Sequence, residues 1–287
     1  MASSEPVCEQ TLDPGRLEPL LALSRAAGWN QNEADWRLML ELGRGWGLAR
    51  PDGTLVASTL VLPYGGRFAW VSMVLVLPEE RRRGHASRLL RRALSELQAR
   101  RLTPILDATP AGRAVYAREG FRDTWGFARY ALHAPRLAAA AIPGAEVRAL
   151  ADADWPAIME LDALAFGARR ERLLRALALR LPAAALVAER AARIVGFLLG
   201  RDGREARQLG PLVSLAPEAT PALLAGALAR VSPPLFIDIA DHAPALRARA
   251  EEHGFIFQRP FTRMVRGDDH APGDPRIMMA VAGPELG

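Results

Sequence analysis

The sequence contains no lysine. All 37 basic side chains are arginine, set against 32 acidic ones, for a formal net charge of +5. A phosphate loop of the type Gly-x-x-x-x-Gly-Lys-Ser/Thr is therefore excluded, and the dinucleotide fingerprint Gly-x-Gly-x-x-Gly is also missing. The basic excess is modest for this length and is not interleaved with aromatics, so no nucleic-acid partner is expected. Cys8 is the only cysteine. An internal disulfide is impossible, a reducing compartment fits, and without a neighbouring histidine Cys8 reads as a small apolar residue. No histidine or cysteine pair, His242 and His253 included, has ligand spacing, so no metal is expected. No apolar run approaches a membrane span and the first residues carry no signal-peptide pattern, which points to a cytoplasmic protein without a membrane partner. At 287 residues, half of them hydrophobic, the chain has room for two cored domains. Its Arg, Ala, Leu and Pro bias fits a GC-rich bacterial genome.

What is present is most informative at residues 74–90. An apolar, β-branched run (Val74, Leu75, Val76, Leu77) enters an Arg- and Gly-rich turn, and an amphipathic helix follows with Leu89, Leu90, Ala93, Leu94 and Leu97 on one face. A strand that turns directly into a helix leaves the first helical amides unpaired, at the positive end of the helix dipole. That is an anion site, and Gly84 and Ala86 let a phosphate approach the backbone. An Arg-rich surface turn capping a helix is the plainer reading of the same residues. About thirty residues on, Ile105-Leu106-Asp107-Ala108-Thr109-Pro110 leads through Tyr116 to Gly120-Phe121, which reads as strand, helix, glycine stop and strand.

Arg81-x-x-Gly84-x-Ala86 resembles the acyl-CoA pyrophosphate signature of the GNAT N-acetyltransferase superfamily. The second segment resembles that superfamily's Asn-Pro-x-Ala-x-x-x-Tyr-x-x-x-Gly-Phe, with Thr109 in the Asn position as a departure. Order and spacing both agree. The resemblance implies an α+β fold: a mostly antiparallel mixed sheet, flanked by helices, whose central strand splays from its neighbour.

The chain also repeats itself. Glu119-Gly120-Phe121 and the residues to Tyr130 align without gaps on His253-Gly254-Phe255 and the residues to Met264, so that Phe127 falls on Phe261 and Arg129 on Arg263. The Arg-rich turn has no counterpart in the second copy, and Ala250 stands at the position of Tyr116. Residues 1–136 therefore read as an acyltransferase domain, 137–145 as an Ala/Pro-rich linker, and 146–287 as a degenerate GNAT-like domain. Leu161-Asp162-x-x-Ala165-Phe166-Gly167 and the closing Ala282-Gly283-Pro284-Glu285-Leu286-Gly287 resemble a C-terminal domain found behind bacterial GNAT domains.

Site residues follow from motif and resemblance together. Backbone amides of Arg82, Arg83, Gly84, His85, Ala86 and Ser87 are placed on the pyrophosphate of acetyl-CoA, with Arg81, Arg83 or Arg88 for a further phosphate. The resemblance places pantetheine along Met73, Val74, Leu75 and Val76, beside Thr109, with an amide there polarising the thioester oxygen. Tyr116 is either the acid for the leaving thiolate or a residue packed on the sheet. The central strand offers Ser72 and no carboxylate, so Asp107 is the nearest candidate base, a turn cap its other reading. Trp29, Glu33 and Trp36, with Ser72, could frame an aromatic or cationic amine, or simply start and pack a helix. The expected function is acetyl transfer from acetyl-CoA to a primary amine, small-molecule or peptide, by direct attack in a ternary complex, in a monomer or homodimer. The competing reading is a non-catalytic acyl-CoA sensor or partner-binding protein.

Overall fold

The computed structural model describes residues 6–134, 145–267 and 270–287. The first half runs β1 (Cys8–Thr11), α1 (Glu18–Ala27), α2 (Glu33–Leu42), β2 (Arg44–Ala49), β3 (Leu55–Tyr64), β4 (Phe68–Val76), α3 (His85–Ala99), β5 (Thr103–Ala108), α4 (Pro110–Arg118) and β6 (Phe121–Leu132). The second runs β7 (Glu146–Ala149), α5 (Trp155–Phe166), α6 (Glu171–Arg180), β8 (Leu186–Arg190), β9 (Arg193–Arg201), β10 (Arg207–Ser214), α7 (Ala219–Leu228), β11 (Leu235–Ala240), α8 (Pro244–Glu252), β12 (Ile256–Arg266) and β13 (Met278–Val281). The expected α+β class holds. Pairing is antiparallel throughout except β4 with β5 and β10 with β11. Nearly all of the expected linker lies outside the described residues. Cys8 is exposed on β1 instead of packing as a small apolar side chain.

All strands join one thirteen-stranded sheet, and its middle carries what the repeat did not foretell. The order there is β5-β12-β6-β11. β12 of the second half lies against β5 of the first, and β6 of the first lies against β11 of the second. The halves have exchanged equivalent strands. Phe127 and Phe261, aligned in the repeat, sit directly opposite each other in the β6–β12 register and stack at 5.1 Å. Two forked ion pairs lock the exchange. Arg129 of β6 bonds Asp238 of β11, both contacts 2.8 Å, and Arg263 of β12 bonds Asp107 of β5, both 2.9 Å. Arg129 and Arg263 are themselves repeat equivalents, so one device serves both crossings.

One face carries α1, α2, α5 and α6 over a continuous core, with Trp36, Trp70, Phe127, Phe166, Phe197 and Phe261 buried in it. On the other face, α3 with α4 and α7 with α8 cover separate clusters. Residues 282–287 are buried on the first face, where Trp70 Nε1 donates to Pro284 O (3.1 Å) and Tyr64 Oη to Leu286 O (3.0 Å). Among the described residues no helix is long and apolar enough to cross a membrane.

β4 and β5 pair only from Phe68–Thr103 to Trp70–Ile105 and then diverge. β10 and β11 likewise pair over three residues, from Arg207–Leu235 to Leu209–Ile237. The first gap is open on the β4 side. The second is filled by β13, which pairs with both walls, Leu212 to Ala280 and Asp238 to Val281.

Candidate functional site

A cleft of about 270 Å³ opens where β4 and β5 part. Its walls are the end of β4 (Val74, Leu75, Val76), Arg81 and Ala86 of the turn, Asp107 and Thr109 after β5, the first turns of α4 (Ala111, Gly112, Val115, Tyr116) and, from across the gap, Ala27 and Trp29. Three groups of residues separated in sequence thus meet as the motif reading expected.

The β4 wall is shaped by a bulge. Between the pairs Ser58–Leu75 and Leu60–Ser72, one residue of β3 opposes two of β4, and Met73 sits at φ +50°. The Ser58 hydroxyl donates to Met73 O at 2.8 Å and holds the bulge in place. A bulge turns the strand and re-aims its peptide groups, here at the end that faces the gap.

The turn from β4 to α3 has the form of a cradle. Backbone N–H groups of residues 82–87 donate to nothing among the described residues, and the first bond into α3 is Arg88 N to Gly84 O. No side chain caps α3. Arg82 (φ +62°) and Gly84 (φ +82°) put two left-handed residues into the turn, and a Cβ on Gly84 meets no atom within 4 Å. Beneath the cradle lies Glu80, 4% exposed. It accepts from Arg50 (2.6 and 3.1 Å), Arg83 (3.0 Å) and His85 (3.1 Å). The Arg50 hydrogen bonds hold its carboxyl below the usual carboxylate range, with His85 and Arg83 adding to the effect. This support is complete above the ordinary carboxylate range and is lost as pH falls through the lowered value. Protonation of Glu80 should therefore add no pH dependence of its own to donor binding from about pH 8 down to about pH 5. A Glu80→Gln variant whose calorimetric affinity for acetyl-CoA matched the parent's across that window would contradict this role for Glu80.

On the opposite wall, the Thr109 hydroxyl caps α4 by accepting from Gly112 N (3.2 Å). Gly112 is required there, because a Cβ would stand 2.9 Å from Cε2 of Tyr116. The Tyr116 ring lies over that turn, edge-on to Phe121. Burial pushes its phenol up to about 12, so it stays protonated and is suited to donate.

The remaining expectations divide. Trp29 lines the cleft and is fixed from the second half, since Arg204 donates to its carbonyl at 2.8 and 3.0 Å. Glu33 does not reach the cleft; it pairs with Arg37 at 2.8 Å and faces a groove between α2 and α6. Trp36 is core, fully buried, with Nε1 donating to Ser24 Oγ (2.9 Å). Ser72 is buried against Met39. The Asp107 carboxylate is 0% exposed and its two oxygens are gripped by Arg263, whose guanidinium also lies over Trp125 and Trp70 at 4.2 and 4.5 Å. Burial pushes the Asp107 carboxyl up and Arg263 opposes that shift. Residues not foreseen are Ala27, Glu80, Arg50, Arg263 and the α4 face Gly112–Val115. The last could have been found by stepping back one helical turn from Tyr116.

Comparison with known proteins agrees with this geometry. Residues 17–121 match the acetyltransferase (GNAT) family and residues 158–278 match an acetyltransferase (GNAT) domain. No curated protein matches the chain. Among solved structures, a protein from Pyrococcus horikoshii assigned as an acetyltransferase aligns over 98% of this chain and 96% of its own at 22% identity, TM-score 0.80. A GCN5-related N-acetyltransferase from Sphaerobacter thermophilus aligns over 94% and 98% at 18% identity, TM-score 0.68. At these identities the structures speak for the fold, both halves included.

Proposed function

The chain belongs to the GNAT acetyltransferases as two domains in tandem, and on that premise we propose that its first half transfers the acetyl group of acetyl-CoA to a primary amine within a ternary complex. The observation that carries this is the meeting, in one cleft, of the unpartnered end of β4 and a protonated phenol, with the turn whose 82–87 amides have no partner among the described residues reaching the cleft at Ala86. The residues present fit the donor. The 82–87 amides, with the dipole of α3 behind them, receive a pyrophosphate, and Arg81 adds a charge-assisted contact. The bulged end of β4 lies where an extended pantetheine arm can pair with it. Acetyl-CoA supplies a thioester, whose carbonyl carbon is the electrophile.

The residues then have separable tasks. A β4 amide at the bulge stabilises charge developing on the carbonyl oxygen. The C–N bond forms, the C–S bond breaks, and the departing sulfur gains one proton while the nitrogen loses one. Tyr116 is placed to give the sulfur its proton and to recover it from water. The second half has neither a cradle nor a gap, so one donor is expected per chain.

Tyr116→Phe should lower kcat by about 10²-fold, the usual worth of a positioned acid, with acetyl-CoA affinity changed by less than about threefold. Thiol release and calorimetry read the two separately. Equal turnover would leave Tyr116 with packing alone. A binding-only reading draws on the absence, among the described residues, of an accessible carboxylate in the cleft. Thiol release over a broad amine panel decides between the two.

A further inference from the structure

Of the described residues lining the cleft, only Arg81, Asp107 and Tyr116 titrate. None is an available base. Arg81 is a cation. Tyr116 holds its proton. Asp107 is sealed beneath Arg263, and Asp238 and Glu285 act on it only through space. The lock that ties the halves together has thus removed from the chemistry the one carboxylate that sequence order offers to it. The walls on the acceptor side are Ala27 and Trp29, with Val115 and Asp107, whose carboxylate is turned to Arg263, also lining the cleft.

An alkylammonium brought into this cleft meets, among the described lining residues, no exposed carboxylate to pair with and no side chain to take its proton. Desolvating an unpaired cation costs several kcal/mol. A neutral amine escapes both costs, and a flat apolar one has Trp29 to lie against.

Resting on the acyl-transfer reading above, we propose that the acceptor is an arylamine, which reaches the cleft uncharged, and that no side chain of this chain serves as its base. The nitrogen attacks as the free amine, and its surplus proton leaves to water once the C–N bond has formed. The rate then follows the ionisation of the acceptor and of no group on the enzyme.

The test uses the intact chain, saturating acetyl-CoA, and two amines of similar size: aniline, uncharged near neutral pH, and benzylamine, an ammonium there. Thiol release is followed from about pH 6 to about pH 9. The expected kcat/KM for aniline is flat across this range. For benzylamine it climbs about tenfold per pH unit toward the amine's own pKa, and near pH 6 aniline leads by more than tenfold. A bend at the same pH for both amines would reveal an enzyme base and overturn the proposal. So would benzylamine outpacing aniline near pH 6, and either result leaves the transferase reading intact. No thiol release with any amine, despite acetyl-CoA binding, would overturn that reading and this one with it.

Discussion

Gly84→Glu should abolish measurable acetyl-CoA binding. A Cβ on Gly84 meets open space and not protein, so a carboxylate there would stand beside the turn amides proposed to hold the pyrophosphate. Two like charges about 4 Å apart at a partly exposed site repel by roughly 4 kcal/mol, about a thousandfold in Kd. Backbone strain adds to this, since φ is +82° and any L-residue pays about 1–2 kcal/mol for the left-handed region. Gly84→Ala separates the two effects. It carries the strain without the charge, and we expect no more than about a tenfold loss from it. Calorimetric affinity unchanged in Gly84→Glu would move the donor elsewhere. Equal losses in both variants would mean that the turn's shape, not its charge, is what matters.

Arg263→Met should destabilise the whole chain by about 3–5 kcal/mol, because Asp107 is then left buried without its counter-ion. For a chain of this size that corresponds to a fall in Tm of roughly 10 °C. Asp107→Leu should cost a similar amount by stranding Arg263 between Trp70 and Trp125. The double variant should recover much of either loss, as replacing a buried pair by apolar side chains commonly does. Thermal unfolding of the three proteins gives the cycle. Additive losses would show that the two side chains are not coupled and that the exchange is held by packing alone.

The two strand–turn–helix units that build the cleft were legible because their signals are local. Residues 81–86 and 109–121 each fold into one strand–turn–helix unit, so spacing in sequence fixes spacing in space. The α1–α2 segment was legible only in part. Asn32 does cap α2, accepting from Asp35 N at 3.1 Å, but helical phase sends Trp36 to the core and Glu33 to the outside, leaving Trp29 alone at the cleft. The role of Asp107 was not legible. Its partner is 156 residues away in sequence, on a strand that repeat symmetry assigns to the other half. The alignment of Arg129 on Arg263 and Phe127 on Phe261 held the clue to a symmetric contact. Nothing in a one-dimensional repeat says whether each strand returns to its own half or crosses over. Filling of the second gap by β13 was hidden for the same reason: the absent turn says nothing of what stands between the strands, and the occupant lies some sixty residues downstream.

The exchanged strand also sets the order in which this protein can be made. β12 is the sheet partner of β5, yet it is synthesised after every other element of the catalytic half and nearly all of the second half. During translation β5 therefore waits with an unpaired edge, and Asp107 waits in water without Arg263. The Asp107 side of the cleft acquires its counter-ion only when β12 has left the ribosome. Until then the nascent chain offers a sheet edge open to wrong partners, so maturation of the first half is timed by a strand near the far end of the second.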